Sequence, residues 1–306
     1  MSTTTLPPAA RPVRGMLLML LAFGFITIND AAMKWALAGT PVAQAIFIRG
    51  IFSLLVLLSL SLYFGRLRDL RWRKPWAQIF CGLAFTISLF CFVTSLSYLP
   101  LALAVVIVMA SPMFVTLFAP IFLRERVGWW RRSAVLLGFV GTIIVMQPGT
   151  ESFEWPLLLP LIAAFLNAGR EIVVRHVIGT ESSISMVVTA MVFVSGFAAA
   201  ASPFVWVPPS TAHIGFLALS GACLAVGLIL AFEAIRSADV SIVSPFQYSS
   251  IIWATLIGFA VWSDVPSWST ILGATLIFCG GLVIFRRERA PKPHAVMSSK
   301  LGGPHS

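Results

Sequence analysis

Apolar stretches of bilayer length run through almost all of this 306-residue chain, and its basic residues fall on alternate breaks between them. A helix needs about 20 apolar residues to cross a membrane. Ten such runs are legible: 15–35, 42–64, 76–97, 101–123, 130–147, 156–175, 182–204, 213–235, 240–262 and 268–285. No charge interrupts 76–123, a run twice the needed length, so Tyr98-Leu99-Pro100 is read as a turn dividing it. The runs do not alternate in polarity as the strands of a membrane barrel would, which leaves helices as the way to satisfy the backbone in lipid. Of the 21 Lys and Arg residues, all but Lys34 and Arg49 lie before the first run, after the second, fourth and eighth, at the end of the sixth, or in the tail. Basic residues collect on the cytoplasmic side of a membrane, so both termini are expected there.

The net charge of +10 does not point to nucleic acid, because the basic residues are separated by apolar runs rather than gathered on one soluble face. Cys81, Cys91, Cys223 and Cys279 lie within apolar runs at spacings unlike a metal site, and His176, His213, His294 and His305 are scattered. Neither a metal, a cofactor nor a catalytic triad is expected. No phosphate-binding G-x-x-x-x-G-K-[ST] loop occurs, so any transport would be secondary or depend on a partner.

A shift of about 140 residues brings the two halves into partial register. Asp30-x-x-x-Lys34 meets Glu171-x-x-x-Arg175, Gly39-Thr40 meets Gly179-Thr180, Glu125 meets Asp264, and Gly141 meets Gly280. An odd number of spans per unit makes the second copy enter from the opposite side. The expected architecture is therefore an all-α membrane protein of ten transmembrane helices in two inverted five-helix repeats. Its segments are a cytoplasmic N-terminal tail over 1–14, repeats over 15–149 and 150–288, and a disordered cytoplasmic tail over 289–306. Gly138, Gly141, Gly273, Gly280 and Gly281 are read as packing positions that let helices approach closely.

Ten spans in this length, the stretch from Tyr98 through Ala110-Ser111-Pro112 to Leu123-Arg124-Glu125-Arg126, and Ser244-Pro245-Phe246-Gln247-Tyr248 with Leu272-Gly273-Ala274 to Gly280-Gly281 resemble the EamA-type members of the drug/metabolite transporter superfamily. The resemblance covers roughly 15–288 and departs from many relatives in having Asp264 where they carry Glu. It implies a secondary transporter of the inner membrane working by alternating access. Its solute would be a small amphipathic or zwitterionic metabolite such as an amino acid, S-adenosylmethionine or a flavin. Asp30-x-x-x-Lys34 followed by Arg49 leans toward the subgroup containing some importers, but the direction of transport stays open. An intramembrane enzyme on a lipid substrate would need a cluster of acids that is not visible. A non-transporting receptor or assembly factor would need large soluble loops, and the loops are short. The expected partners are a solute, the lipid bilayer and protons as coupling ion, with the protein a monomer or weak homodimer.

A charge within a span costs about 2.5–3.5 kcal/mol on insertion scales, so it needs a partner or a wet cavity. Arg49 is the clearest case; it suits a carboxylate or phosphate, or an ion pair with Asp30. Asn29, Tyr98, Asn167, Gln247, Tyr248 and Trp253 are further candidates for solute contact, each with packing as its alternative. Asp30, Lys34, Glu171, Arg175 and Glu233 are candidates for gating or proton coupling. Lys34 could instead pair with Asp30 or reach the interface, Glu171 could pair with Arg175, and Glu233 with Arg236. Pro112, Pro160 and Pro245 lie inside spans, as hinges or fixed kinks.

Overall fold

In the computed structural model, residues 12–63, 72–122, 128–148, 154–177, 180, 183–237 and 240–288 are described, and all regular structure among them is helical. Residues 1–11 of the expected N-terminal tail, the expected tail over 289–306, the arginines at 66, 68, 71, 124 and 126, and Glu125 and Gly179 lie outside the described residues. In chain order the helices are α1 (Pro12–Ala36), α2 (Val42–Tyr63), α3 (Pro75–Leu96), α4 (Leu101–Val108), α5 (Ser111–Phe122) and α6 (Trp129–Met146). They continue as α7 (Leu158–Val177), α8 (Ser183–Ala201), α9 (Thr211–Ser237), α10 (Val240–Val243), α11 (Ser249–Trp262) and α12 (Trp268–Glu288). Among the described residues seven helical segments are long and apolar enough to cross a membrane, and Arg132–Met146 and Trp268–Val283 are shorter apolar helices.

Two of the expected runs are broken internally, each at a Ser-Pro pair. Between α4 and α5 the i→i+4 ladder gives way to shorter bonds, Ala110 N–H to Ile107 O at 3.1 Å and Met113 N–H to Ala110 O at 3.0 Å. Pro112 has no N–H to continue the ladder, and its ring disfavours helix at Ser111. At Ser244-Pro245 the chain runs through one tight turn, Ser244–Tyr248, of the three-residue-per-turn type before α11 begins. Pro160, the third residue of α7, sits where a helix tolerates proline and causes no break.

Packing follows a matched pattern in the two halves. α1 lies along α9 as α3 lies along α7, α2 packs on α9 as α3 packs on α8, and α6 lies along α12. Close approach explains several glycines. A Cβ on Gly141 would stand 2.8 Å from the carbonyl oxygen of Gly273, and one on Gly273 would stand 2.5 Å from that of Gly141, so α6 and α12 meet backbone to backbone. Gly280 faces the Ala134 carbonyl in the same way, Gly138 packs on Met113, and Gly281 takes the Tyr248 ring.

The largest apolar cluster joins α4, α5, α6, α11 and α12 through Val105, Ile107, Met113, Val145, Ala254 and Ile277. Around it the outer faces expose Leu55, Leu83, Ile121, Phe122, Phe259 and Trp268. So large an apolar exterior would aggregate in water and is at home in lipid.

Candidate functional site

Where α1, α2 and α9 meet, polar residues collect inside an otherwise apolar bundle. Gly221 lets α9 press on α2: a Cβ there would stand 2.7 Å from the carbonyl oxygen of Arg49. One turn along α2, the Ser53 hydroxyl donates to the Gly221 carbonyl at 3.1 Å. The neighbouring Ser220 hydroxyl reaches α1, with the Asn29 side-chain oxygen at 2.8 Å and its backbone carbonyl at 3.1 Å. The Asn29 amide then donates to Asp30 Oδ1 at 2.9 Å. Asn29 is thus held between α9 and Asp30, orienting the carboxylate.

Arg49 completes this node and is only 2% exposed. Its Nε and Nη2 are buried with no hydrogen-bond partner, and no ion pair joins it to Asp30 or to any other described residue. Asp30 is close enough for the two charges to act on each other. Removing a guanidinium from water without pairing it is costly. The node is therefore incomplete as it stands, and an oxyanion would complete it with charge-assisted hydrogen bonds.

Lys34, half-buried, does not pair with Asp30. Its ammonium donates to the Leu99 carbonyl at 2.6 Å, in the turn between α3 and α4, and lies 5.2 Å from the centre of the Trp262 ring at the end of α11. Nearby, the Gln44 amide pairs with Val207 twice, donating to its carbonyl at 2.7 Å and accepting from its N–H at 3.0 Å. One residue therefore ties α1 to the α3–α4 turn and to α11, and another ties α2 to the segment before α9. At this end the bundle is fastened.

On α7, Glu171 and Arg175 form a local ion pair at 2.9 Å, with side chains 44% and 35% exposed. Glu233, in α9, is half-buried and its carbonyl accepts from the Ser237 hydroxyl at 2.6 Å. The Arg236 side chain, its expected partner, lies outside the described side chains.

The aromatic and amide candidates are dispersed. Tyr98 is 57% exposed and meets the Trp155 ring at a 59° tilt, 5.4 Å between ring centres. Tyr248, 2% exposed, turns toward α12 and meets Phe278 edge-on at 5.7 Å. Trp253 packs on Gly24 of α1 with its indole N–H buried and unpartnered, and Gln247 is half-buried. Asn167 has a buried, unpartnered side-chain oxygen. A groove of about 520 Å³ beside Tyr248 is almost wholly apolar, lined by Leu20, Pro245, Phe246, Ile252 and Phe278. Among the described residues no group of three or more His, Cys, Asp or Glu side chains could hold a metal ion, and all four cysteines are free.

Sequence reasoning passed over Ser220 and Gln44. Serine and glutamine are too common in spans to single out. Arg170 is read from the sequence only as part of a charge cluster with Glu171 and Arg175 at the cytoplasmic end of its run, a gate candidate rather than a solute contact.

The EamA-like transporter family model matches the chain twice, over residues 13–147 and 154–286. The chain belongs to that family. An S-adenosylmethionine uptake transporter of Rickettsia bellii is 26% identical over 88% of this chain and 92% of that one. A riboflavin transporter of Rhizobium johnstonii is 30% identical over 93% of this chain and 95% of its own length. A solved crystal structure shares the fold at a TM-score of 0.66 and 16% identity, covering 90% of this chain and 99% of that one. This EamA-like protein is accordingly a multi-pass membrane protein and a metabolite transporter, and the node of Asp30 and Arg49 sits in its first family match.

Proposed function

We propose that this transporter crosses the inner membrane ten times as two inverted five-span units, 15–149 and 150–288, with both termini in the cytoplasm. It moves a small amphipathic or zwitterionic metabolite by alternating access, with protons as coupling ion, and works as a monomer or weak homodimer. The broken runs, 101–122 and 240–262, each count as one crossing. Arg49 takes the anionic end of the solute, and Asp30, in reach of its charge, responds to occupancy. Lys34 fastens one end of the bundle while the Glu171–Arg175 pair occupies the corresponding place on α7; exchange between the two ends is the transport step.

The observation that carries this reading is Arg49, buried at 2% exposure with Nε and Nη2 unpartnered. A structural guanidinium would have its carboxylate in contact; one kept for a solute leaves hydrogen-bonding capacity unused. The matched packing of α1 on α9 and α3 on α7 supports the inverted repeat. The relatives that import S-adenosylmethionine and carry riboflavin support a metabolite of similar size. Purified protein in liposomes, assayed for uptake and efflux of labelled amino acids, S-adenosylmethionine and riboflavin with and without a pH gradient, tests it. Saturable flux of at least one solute is expected, stimulated by the gradient; absence of flux in both directions for every solute would sink the proposal.

A further inference from the structure

Arg170 is a second guanidinium inside the bundle with no carboxylate in contact among the described residues. It lies in α7, its Nε is buried without a hydrogen-bond partner, and its charged carbon stands 5.1 Å from the centre of the Phe85 ring on α3. Glu171, next in sequence, is committed to Arg175, and Asp30 accepts from Asn29. The thiol of Cys81, one helical turn from Phe85, donates weakly to the Arg170 backbone carbonyl at 3.9 Å and leaves the guanidinium unaddressed. Phe85 packs against two apolar clusters that include Ala45, Ile46 and Leu57 of α2, so the stack faces the bundle interior between α2, α3 and α7.

Asn167 stands three residues before Arg170, which puts the two on one face of α7 with Cβ atoms about 5–6 Å apart. Its side-chain oxygen is also buried and unpartnered. An arginine flat on an aromatic ring keeps its in-plane N–H groups free for a bidentate contact, and a neighbouring amide adds a neutral hydrogen bond. Two adjacent side chains left unsatisfied on one helical face are unlike a packing surface, where buried polar groups find partners.

We propose that Arg170, held on Phe85 and flanked by Asn167, is a second recognition element for the solute and binds an oxyanion, a carboxylate or a phosphate, carried by it. This deepens the transport reading and rests on it. With Arg49 on α2 and Arg170 on α7, one arginine lies in each proposed repeat, and the solute bridges the two units that must move relative to each other.

The test uses the full chain in detergent and two pairs of probes that differ in one anionic group: riboflavin against flavin mononucleotide, and S-adenosylmethionine against its decarboxylated form. In at least one pair the anionic member is expected to bind about 10-fold more tightly, the worth of a charge-assisted hydrogen-bonded pair. The phosphate and carboxylate arms distinguish the two anions. Arg170→Gln should reduce that preference to about threefold or less, the remainder being Arg49's, while leaving the member without the anionic group within about twofold, and Phe85→Leu should weaken it. Should Arg170→Gln not fold, Arg170→Lys keeps the charge but loses the fork and should retain only part of the preference. Equal binding of both members of both pairs, or a preference unchanged in every Arg170 variant that folds, would overturn the proposal. Flux of the same probes in liposomes separates the two readings: an Arg170-dependent preference without any flux would fail transport and not the anion site.

Discussion

At the residue scale, the node between α1, α2 and α9 shows why Arg49 could be found from sequence and its neighbours could not. A charge in the middle of an apolar run violates the insertion rule so strongly that its position alone signals a task. Asn29 and Ser220 violate nothing, yet the Ser220 hydroxyl spans two helices to reach Asn29. Ser220→Ala is expected to cost about 1 kcal/mol, and Asn29→Leu about 1–3 kcal/mol because it removes both the side-chain bond from Ser220, whose hydroxyl keeps only the backbone carbonyl, and the bond to buried Asp30. Thermal unfolding of the two variants in detergent, with Asn29→Leu the less stable, checks the order. Equal stability would mean that Asn29 contributes nothing beyond its bond to Ser220. Tyr98 illustrates the opposite limit. Its polarity marked it as a solute contact, but it lies in the turn after α3 and is 57% exposed, and a turn residue carries no helical periodicity to say which way it faces.

At the scale of elements, the position of each apolar run was legible and its interior was not. The runs at 101–123 and 240–262 satisfy the length rule, but a Ser-Pro pair breaks each one, leaving α5 with 12 residues and α11 with 14. Proline announced a bend without saying whether the ladder would resume at once. Glycines were legible as a class, and only the fold separates those in contact from those in open space. Gly141→Ala and Gly273→Ala, each with a carbonyl within 2.8 Å of the new Cβ, should destabilise by about 1–3 kcal/mol. Gly196→Ala in α8, with nothing within 4 Å, should be neutral or stabilising by up to about 1 kcal/mol. Denaturation in mild detergent should show opposite signs, and a common sign would remove the close-approach account of α6 and α12. The Lys34 fastening belongs to this scale too, since it joins three elements. In a variant with its native cysteines replaced, Lys34→Met should speed labelling of Ser53→Cys by a soluble maleimide added from the Lys34 side by about threefold or more, the loss of one charge-assisted bond. An unchanged rate would show that Lys34 does not restrict access.

At the scale of the whole molecule, the sequence period of about 140 residues and the packing pairs α1 with α9 and α3 with α7 express the same doubling. The sequence marks it through charges and turns; the fold marks it through which helices lie together. The proposed ten-span topology predicts that Ala38→Cys and Arg73→Cys, one run apart, react with an impermeant thiol reagent from opposite sides of sealed vesicles. Labelling from the same side would break the proposed topology. The central claim is narrower: solute passes by binding Arg49. The most direct measurement is the initial rate of labelled S-adenosylmethionine and riboflavin entry into liposomes carrying either the wild-type chain or Arg49→Ala, with matched protein content and matched unfolding temperature. Arg49→Ala should fall to the rate of empty liposomes for each solute the wild type moves. A folded Arg49→Ala protein transporting at the wild-type rate would contradict the account.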